Sequence, residues 1–298
     1  MKVLYATDGF EPATMAGHLL EKIGDRERIE VTVMSVTHTG IPAPEHLPLA
    51  IDPVPPRRED TLAIVDAAVE KLLSAGFTAR GHTAEGHPGQ EIVRAVENDW
   101  YDLVVMGAGG GSWLGNQLLG SVSTYVLHSS PWSVLIVHEA HSEGERGRVL
   151  IGTDGSRGAD FTVSMLERFA DPARTAITVV SVIPSNSPLY FAVPVATQIP
   201  PEAYQQNEEI ERQMRNRGQR SADRAATHLR DASFEVEAHS CSGNPTEQLL
   251  REAEGDQFDL VAVGSRGLGP IARAILGSVS DQVVRHSRAA LIGRRLAS

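Results

Sequence analysis

The sequence predicts an α/β protein made of two tandem open five-stranded parallel sheets with helices on both faces. Three observations predict it. Short branched apolar runs alternate with longer amphipathic stretches, the pattern of right-handed strand–helix–strand units whose sheet is covered on both sides. The whole alternation occurs twice in 298 residues. In each copy the fourth apolar run opens into one glycine spacing, G-x2-G-x9-G-S, ahead of a helical stretch.

In the first copy, strands fall near residues 3–6, 29–36, 77–83, 103–106 and 133–137, and helices near 12–23, 60–75, 89–98 and 122–129. A run such as 260–263 in the second copy is too short for a helix and rich in branched residues, as buried parallel strands are. The second helix carries Leu62, Ile64, Val65, Ala68, Val69 and Leu72 at helical spacing, with Asp60 at its positive end. Ser278 followed three residues later by Asp281 has the spacing of a capping box.

The repeat fixes the organisation. KVLYATDG matches RVLIGTDG with Asp8 and Asp154 standing 146 residues apart, and Val36 matches Val182 at the same offset. Beyond them Gly86 matches Gly243, and Gly107 matches Gly264, at an offset of 157, so the second copy holds 11 extra residues after its second strand. Proline-rich arms at 41–58 and 183–204 exclude regular helix or central strand. Their length suits lids, docking arms or linkers, and Leu189, Tyr190, Phe191 and Val193 favour packing or a partner contact. The polar, aperiodic stretch 138–148 reads as a linker, giving domains at 1–140 and 147–298, each long enough to bury its own core.

Composition narrows the partners. With 38 acidic against 27 basic residues and a net charge of −11, neither a nucleic-acid backbone nor an anionic membrane surface suits the chain as main partner. An anionic ligand must therefore find local N–H donors. The single cysteine, Cys241, rules out an internal disulfide and reads as an apolar filler near a strand end. The first residues form neither a signal peptide nor an anchor, and no apolar run approaches the ~20 residues of a membrane span, so a cytoplasmic setting is expected.

Gly107, Gly110, Gly120 and Ser121 make up the first glycine motif, and Gly264, Gly267, Gly277 and Ser278 the second. Glycines let backbone N–H groups approach a ligand, and a helix start adds unpaired N–H groups at a positive dipole end. A phosphate chain satisfies both. A single loop of this kind reads equally well as a plain turn from strand to helix, and the duplication favours the phosphate reading.

An aspartate after the first strand, a GxP turn before the third helix, the glycine motif and an HSS or HSR step before the fifth strand recur in order in both copies. On these residues each half resembles a universal stress protein domain of the ATP-binding branch, and the likeness covers nearly the whole chain as a tandem pair. The resemblance implies strand order 3-2-1-4-5 and an ATP site beyond the carboxyl ends of strands one and four, where the order reverses. Carried over by position, Ala6, Thr7, Asp8 and Val36 meet the adenosine end. Met106 lies with the motif, and Gly107, Gly110, Gly120, Ser121, Val122 and Ser123 hold the phosphates. The second copy offers Gly152, Thr153, Asp154, Val182 and Val263, then Gly264, Ser265, Arg266, Gly267, Gly277, Ser278, Val279 and Ser280.

Asp8 and Asp154 repel a triphosphate unless they meet a hydroxyl, an adenine N–H or a bridging cation; Mg or Mn is admitted there, directly or through water, but not demanded. Capping of the following helix is the alternative. Ala108, Gly109 and Gly111 make the first loop bare, whereas Ser265 and Arg266 add donors to the second, so the second site is expected to be the tighter. The resemblance also implies pairing of the two domains and a homodimer, through a last strand whose change from SVLIVHE to AALIGRR, with Gly293, puts the symmetry of pairing in question.

The favoured function is an ATP-binding regulatory protein with little turnover. A slow metal-assisted ATP hydrolase and a nucleotide-free docking module are the alternatives. Neither a GxxxxGK(S/T) loop nor an adenylyl-transfer signature is present, which counts against the first, and two intact glycine motifs count against the second. His82, His87, His138 and His141 read as solvated loop residues, lacking the carboxylates or thiols of a metal set. Trp113 and Trp132 read as packing, and Trp113, inside the nine-residue span, also suits shielding of the phosphates.

Overall fold

The computed structural model describes residues 1–39, 58–109, 119–139, 144, 146–184, 201–255, 258–265 and 276–294, with the side chains of 201–208 excepted. In the first copy the apolar runs form β1 (Lys2–Ala6), β2 (Glu30–His38), β3 (Thr78–Gly86), β4 (Leu103–Gly107) and β5 (Ser133–Val137). Between them lie α1 (Glu11–Ile23), α2 (Arg58–Ser74), α3 (Pro88–Asp99) and α4 (Ser121–Ser129). The second copy has β6 (Gly147–Gly152), β7 (Thr175–Ile183), β8 (Glu235–Ser242), β9 (Leu260–Gly264) and β10 (Ala289–Gly293). Its helices are α5 (Arg157–Phe169), α6 (Pro201–Asp231), α7 (Pro245–Gly255) and α8 (Ser278–His286).

Strands are parallel within each copy, and the order is β3-β2-β1-β4-β5-β10-β9-β6-β7-β8. Each half thus has the order 3-2-1-4-5. The two sheets are halves of one, because β5 and β10 pair antiparallel with Leu135 opposite Leu291 and Val134 opposite Ile292. Leu135 and Leu291 are corresponding residues and the register is two-fold about them, Val134–Ile292 being mirrored by Ile136–Ala290, so the departure at Gly293, beyond the paired residues, leaves the ladder symmetric. A Cβ at Gly293 would run into the Thr162 side chain of α5. The first copy has Val137 and the smaller Ala16 at the matching positions, a large-for-small exchange between strand and helix.

The core divides by sheet face and not by domain, which corrects the expectation of one core per copy. One layer holds Val3, Leu20, Ile23, Leu135, Val149 and Phe169; the other holds Leu4, Met106, Ile136, Leu150, Leu249 and Val284. Strand side chains alternate between faces, and a continuous sheet carries each layer across the join. Where α1 and α5 meet, Asp25 N–H donates to Phe169 O at 2.9 Å and Asp171 N–H to Ile23 O at 2.8 Å. Lys22 Nζ reaches Asp259 Oδ1 at 2.8 Å; the carboxylate is 2% exposed, and its other oxygen accepts Arg148 N–H at 2.8 Å. The duplicate pair is Arg168 Nη2 with Asp102 Oδ1 at 3.0 Å, Asp102 Oδ2 accepting Lys2 N–H at 2.8 Å.

Several local expectations are corrected. α2 buries Thr61, Val65 and Leu72, whereas Leu62 is 54% exposed. Val65 sits over Gly81, where a Cβ would stand 2.6 Å from it, and this close seat turns Thr61 inward to Thr37, the two hydroxyls 2.9 Å apart. The cap of α8 is Gly277, not Ser278, so the capping box is out of register and Asp281 instead accepts from Arg285 Nε at 3.0 Å. Residues 201–204 of the second proline-rich arm are helical, the first turn of α6, where proline needs no N–H partner; residues 41–57 and 185–200 of the arms lie outside the described residues. α6 has 31 residues against 17 in α2, the excess at its start.

His138 is not a solvated loop residue. Its Nε2 lies 2.7 Å from Val284 O and its backbone N–H donates to Arg288 O, so it ties the copies together, and burial lowers its pKa below the usual 6.5. Trp132 packs edge-on against Trp100 at 5.9 Å. Cys241, near the end of β8, is half-buried with its thiol pKa pushed up by that burial, as suits an apolar filler. Among the described residues no helix is long and apolar enough to cross a membrane.

Two predictions follow from the join. Asp259→Ala removes a buried carboxylate that holds the half-buried Lys22 and the Arg148 N–H, and lowers stability in urea by about 3 kcal/mol, against about 1 kcal/mol for the more exposed Asp102→Ala. For His138 the unfolded chain takes up the proton first, so its contribution is whole above pH 6.5 and lost as pH falls towards the lowered folded value. Melting between pH 7 and pH 5 will therefore fall more steeply in the parent than in His138→Gln.

Candidate functional site

In an open parallel sheet a crevice forms where the strand order reverses, outside the carboxyl ends of the strands flanking the reversal. Here these are β1 with β4, and β6 with β9. The β1 side is a tight turn. Thr7 N–H donates to Met34 O at 2.9 Å, Thr7 Oγ1 accepts Gly9 N–H at 3.2 Å, and Asp8 Oδ1 accepts Phe10 N–H at 3.0 Å. The β6 turn repeats it: Thr153 N–H to Val180 O at 2.9 Å, Gly155 N–H to Thr153 Oγ1 at 3.2 Å, and Ser156 N–H to Asp154 Oδ1 at 2.9 Å. Gly9 and Gly155 hold φ of +80° and +73°, which only glycine adopts without strain. Each aspartate therefore closes a turn ahead of the helix instead of capping it. The cap of α5 is Ser156, whose Oγ accepts Ala159 N–H at 3.3 Å.

The opposite wall is the glycine motif. Gly120 N–H donates to Ala108 O and Gly277 N–H to Ser265 O, both at 2.9 Å, so each glycine segment is a loop clamped at its two ends. Buried serines add to the clamp: Ser280 Oγ donates to Gly264 O at 2.7 Å, and Ser123 Oγ donates to Ala108 O. What Ser123 and Ser280 offer a ligand is thus backbone. Gly110, Arg266, Gly267 and Trp113 lie outside the described residues.

The motif glycines divide in role. A Cβ on Gly107 would lie 2.5 Å from Ala13 N, and one on Gly264 2.8 Å from Gly158 C, so the first glycine of each motif admits a helix against the strand end. Gly120 and Gly277 are the caps of α4 and α8, with φ of −65° and −66° and no side-chain capping bond. The first-turn N–H groups there face outward at the positive helix end without a capping oxygen. Ser121 and Ser278 are exposed beside them, with Val122 and Val279 half-buried below.

In the second half the two walls enclose a cavity of about 540 Å³, inside the range of about 300–1,000 Å³ usual for small-molecule sites. Gly152, Thr153, Asp154 and Val182 line one side. Val263, Gly264, Gly277, Ser278, Val279 and Ser280 line the other. The structure therefore gathers ten residues that the sequence nominated around one space. Ser265 holds the loop from behind, its N–H donating to Gly293 O at 2.9 Å. In the first half Ala6, Thr7, Val36 and Met106 are buried at the matching positions and Asp8 is exposed.

The sequence argument missed Met214, Arg217, Gly218 and Ser221 of α6, which line the cavity too. Laid over α2 at the 157-residue offset, Arg217, Gly218 and Ser221 replace Asp60, Thr61 and Ile64, a signal that side-by-side comparison of the helices contains. Beneath the first site Tyr5 donates to Ala13 O at 2.7 Å, and burial pushes its pKa up to about 12, which makes it a neutral brace for α1. Among the described residues no three His, Cys, Asp or Glu side chains group as metal ligands.

An order reversal walled by a Thr-Asp turn and a glycine-clamped helix start, present twice, defines a tandem α/β protein, with a cavity of small-ligand size in its second half. The family model of the universal stress protein family matches residues 1–138 and 145–292, and the chain belongs to that family. A universal stress protein of Mycolicibacterium smegmatis is 32% identical over 188 residues, covering 61% of this chain and 58% of the relative, so the match spans little more than half of that protein. Universal stress protein YxiE of Bacillus subtilis is 31% identical over 147 residues, 46% of this chain and 97% of the relative. Among solved structures, a universal stress protein from Archaeoglobus fulgidus shares the fold with TM-score 0.58 and 24% identity over 99% of this chain and 96% of that one. The functionally unknown protein PA1789 from Pseudomonas aeruginosa shares it with TM-score 0.65 and 13% identity, covering 98% and 92%.

The two glycine roles separate experimentally. Gly107→Ala and Gly264→Ala overpack a helix and are expected to lower stability by about 2 kcal/mol, whereas Gly120→Ala and Gly277→Ala, at caps of ordinary backbone geometry, lower it by under about 1 kcal/mol. Equal losses in urea titrations would remove the distinction.

Proposed function

We propose that each half binds an adenine nucleotide, ATP foremost, with its phosphates on the N–H groups at the start of α4 or α8 and its adenosine against the β1 or β6 turn. The observation that carries this is the pair of uncapped helix starts, each held beside its crevice by a clamped glycine loop. Such a start supplies anion-binding N–H groups without a lysine, in keeping with a chain whose net charge is −11. Asp8 and Asp154 supply one carboxylate each at the turn. Mg²⁺ or Mn²⁺ would therefore take most of its ligands from the phosphates and water, with the aspartate as an outer partner.

On this reading the protein is a cytoplasmic regulator whose shape or partner choice follows nucleotide occupancy. β5 and β10 already pair within the chain, so homodimerisation falls to other surfaces. Gly120 and Gly277 have φ and ψ open to any residue, so Gly120→Val and Gly277→Val keep the fold while closing the approach to the helix start. Nucleotide extracted from purified protein is expected at two per chain, one in either single variant and none in the double. Retention of both nucleotides by the double variant refutes the phosphate assignment. Steady phosphate release at ordinary enzyme rates would favour a hydrolase, and no nucleotide in the parent a docking module.

A further inference from the structure

The second cavity extends beyond the crevice. From the start of α8 it crosses the ends of β9 and β6 and passes under α6, where Arg217 and Ser221 line it. A second hollow of about 620 Å³ shares those two residues and continues along α6 past Gln213, Arg220 and Arg224. At the 157-residue offset Arg217, Arg220 and Arg224 stand where α2 has Asp60, Ala63 and Ala67, so one acidic and two apolar positions have become cationic.

The same helix has also withdrawn side chains from the corner. In the first half Ile64 presses on the β1 turn, 2.9 Å from where a Gly9 Cβ would stand, and Thr61 is bonded to Thr37. In the second half Ser221 takes the corner at Gly155, and Gly218 lies against Ile183, 2.8 Å from where its own Cβ would be. An apolar plug is thereby replaced by a hydroxyl and a bare backbone.

The arginines divide. Arg224 donates to Asp160 Oδ1 at 2.8 Å and to Gly155 O at 3.5 Å, which neutralises that acid and braces the turn. The side chains of Arg217 and Arg220 are exposed and make no hydrogen bond or ion pair among the described residues, while Arg217 O accepts from Ser221 Oγ at 3.0 Å. A guanidinium presents a planar fork of N–H donors suited to a phosphate. Asp154 lines the same cavity as Arg217 and the glycine motif. The α8 start and Arg217 therefore border one cavity, and Arg220 borders the hollow that adjoins it at Arg217 and Ser221. A ligand with phosphates at one end only leaves the arginine end unmatched.

Resting on the nucleotide reading, we propose that the second half selects a nucleotide carrying a second phosphate remote from its 5′-phosphates, a monoester on the ribose 2′ or 3′ hydroxyl, held by Arg217 and Arg220. The first half, with Asp60 and Ala63 at those positions, takes nucleotides without it. The test uses the full chain carrying Gly120→Val, so that binding reports the second half. Calorimetric titrations compare ADP with adenosine 3′-phosphate 5′-diphosphate and with its 2′ isomer. One phosphorylated form is expected to bind roughly tenfold more tightly than ADP, as one charge-assisted contact provides, and the two isomers distinguish the ester position. In Arg217→Asp with Arg220→Ala the ratio falls to about one. Arg217→Gln, a milder change at an exposed position, gives a partial fall and serves if the double substitution melts early. Equal affinities for all three ligands, or a ratio that survives both arginine variants, overturns the proposal while leaving the nucleotide reading intact. Failure of ADP and both isomers to bind removes the nucleotide reading and this proposal with it.

Discussion

The antiparallel ladder between β5 and β10 is the constraint on which the remaining architecture depends. A parallel half-sheet ends in a strand with one unpaired row of N–H and C=O groups, an edge that invites association. Here each half satisfies that edge with the other, Leu135 against Leu291. Because the last strands run in opposite directions, the carboxyl ends of the two halves point to opposite ends of the sheet, and so do the two crevices. The join also merges the apolar layers, so that Ile23 and Phe169, from different copies, belong to one core.

Duplication explains the polar seam over that join. Lys22 with Asp259 and Arg168 with Asp102 are one interaction written twice, since each cation and each acid recurs at the offset of its own part of the repeat. Their environments differ. Asp259 is 2% exposed and Asp102 28% at the side chain, so the first pair is the more tightly held although the sequence treats both alike. The crevices show the same divergence. The strand turns and glycine clamps are conserved in geometry between the halves, whereas α2 and α6, which roof them, differ in length, charge and bulk. Backbone donors at the helix starts set what both halves have in common, and the roofing helix sets how they differ.

Much of this was legible from the chain itself, and the reasons are local. Strand and helix order follow from period and run length, and the two copies follow from identity at fixed offsets. The turn residues Thr7 and Asp8 sit in a short segment whose geometry is set by the positive φ of Gly9 and by hydrogen bonds two residues away, and the loop ends Gly120 and Gly277 are marked by a glycine spacing that recurs in both copies. Readings that depended on which side of an element faces a neighbour fared worse. Leu62 was placed inside and Thr61 was overlooked, because adjacent helix positions differ by about 100° and only the seat of Val65 over Gly81 decides between them.

By itself, then, the sequence determined the fold class, the doubled organisation, and the segments that wall each crevice, since these rest on periodicity and on interactions between near neighbours. Only the tertiary structure decided that two sheets are one, that Gly107 and Gly264 make room for helices, that Ser123 and Ser280 turn inward, and that Arg217 and Ser221 border the second site. Each of these depends on contacts between residues far apart in the chain, and the spacing of a single strand of letters carries no distance across a sheet.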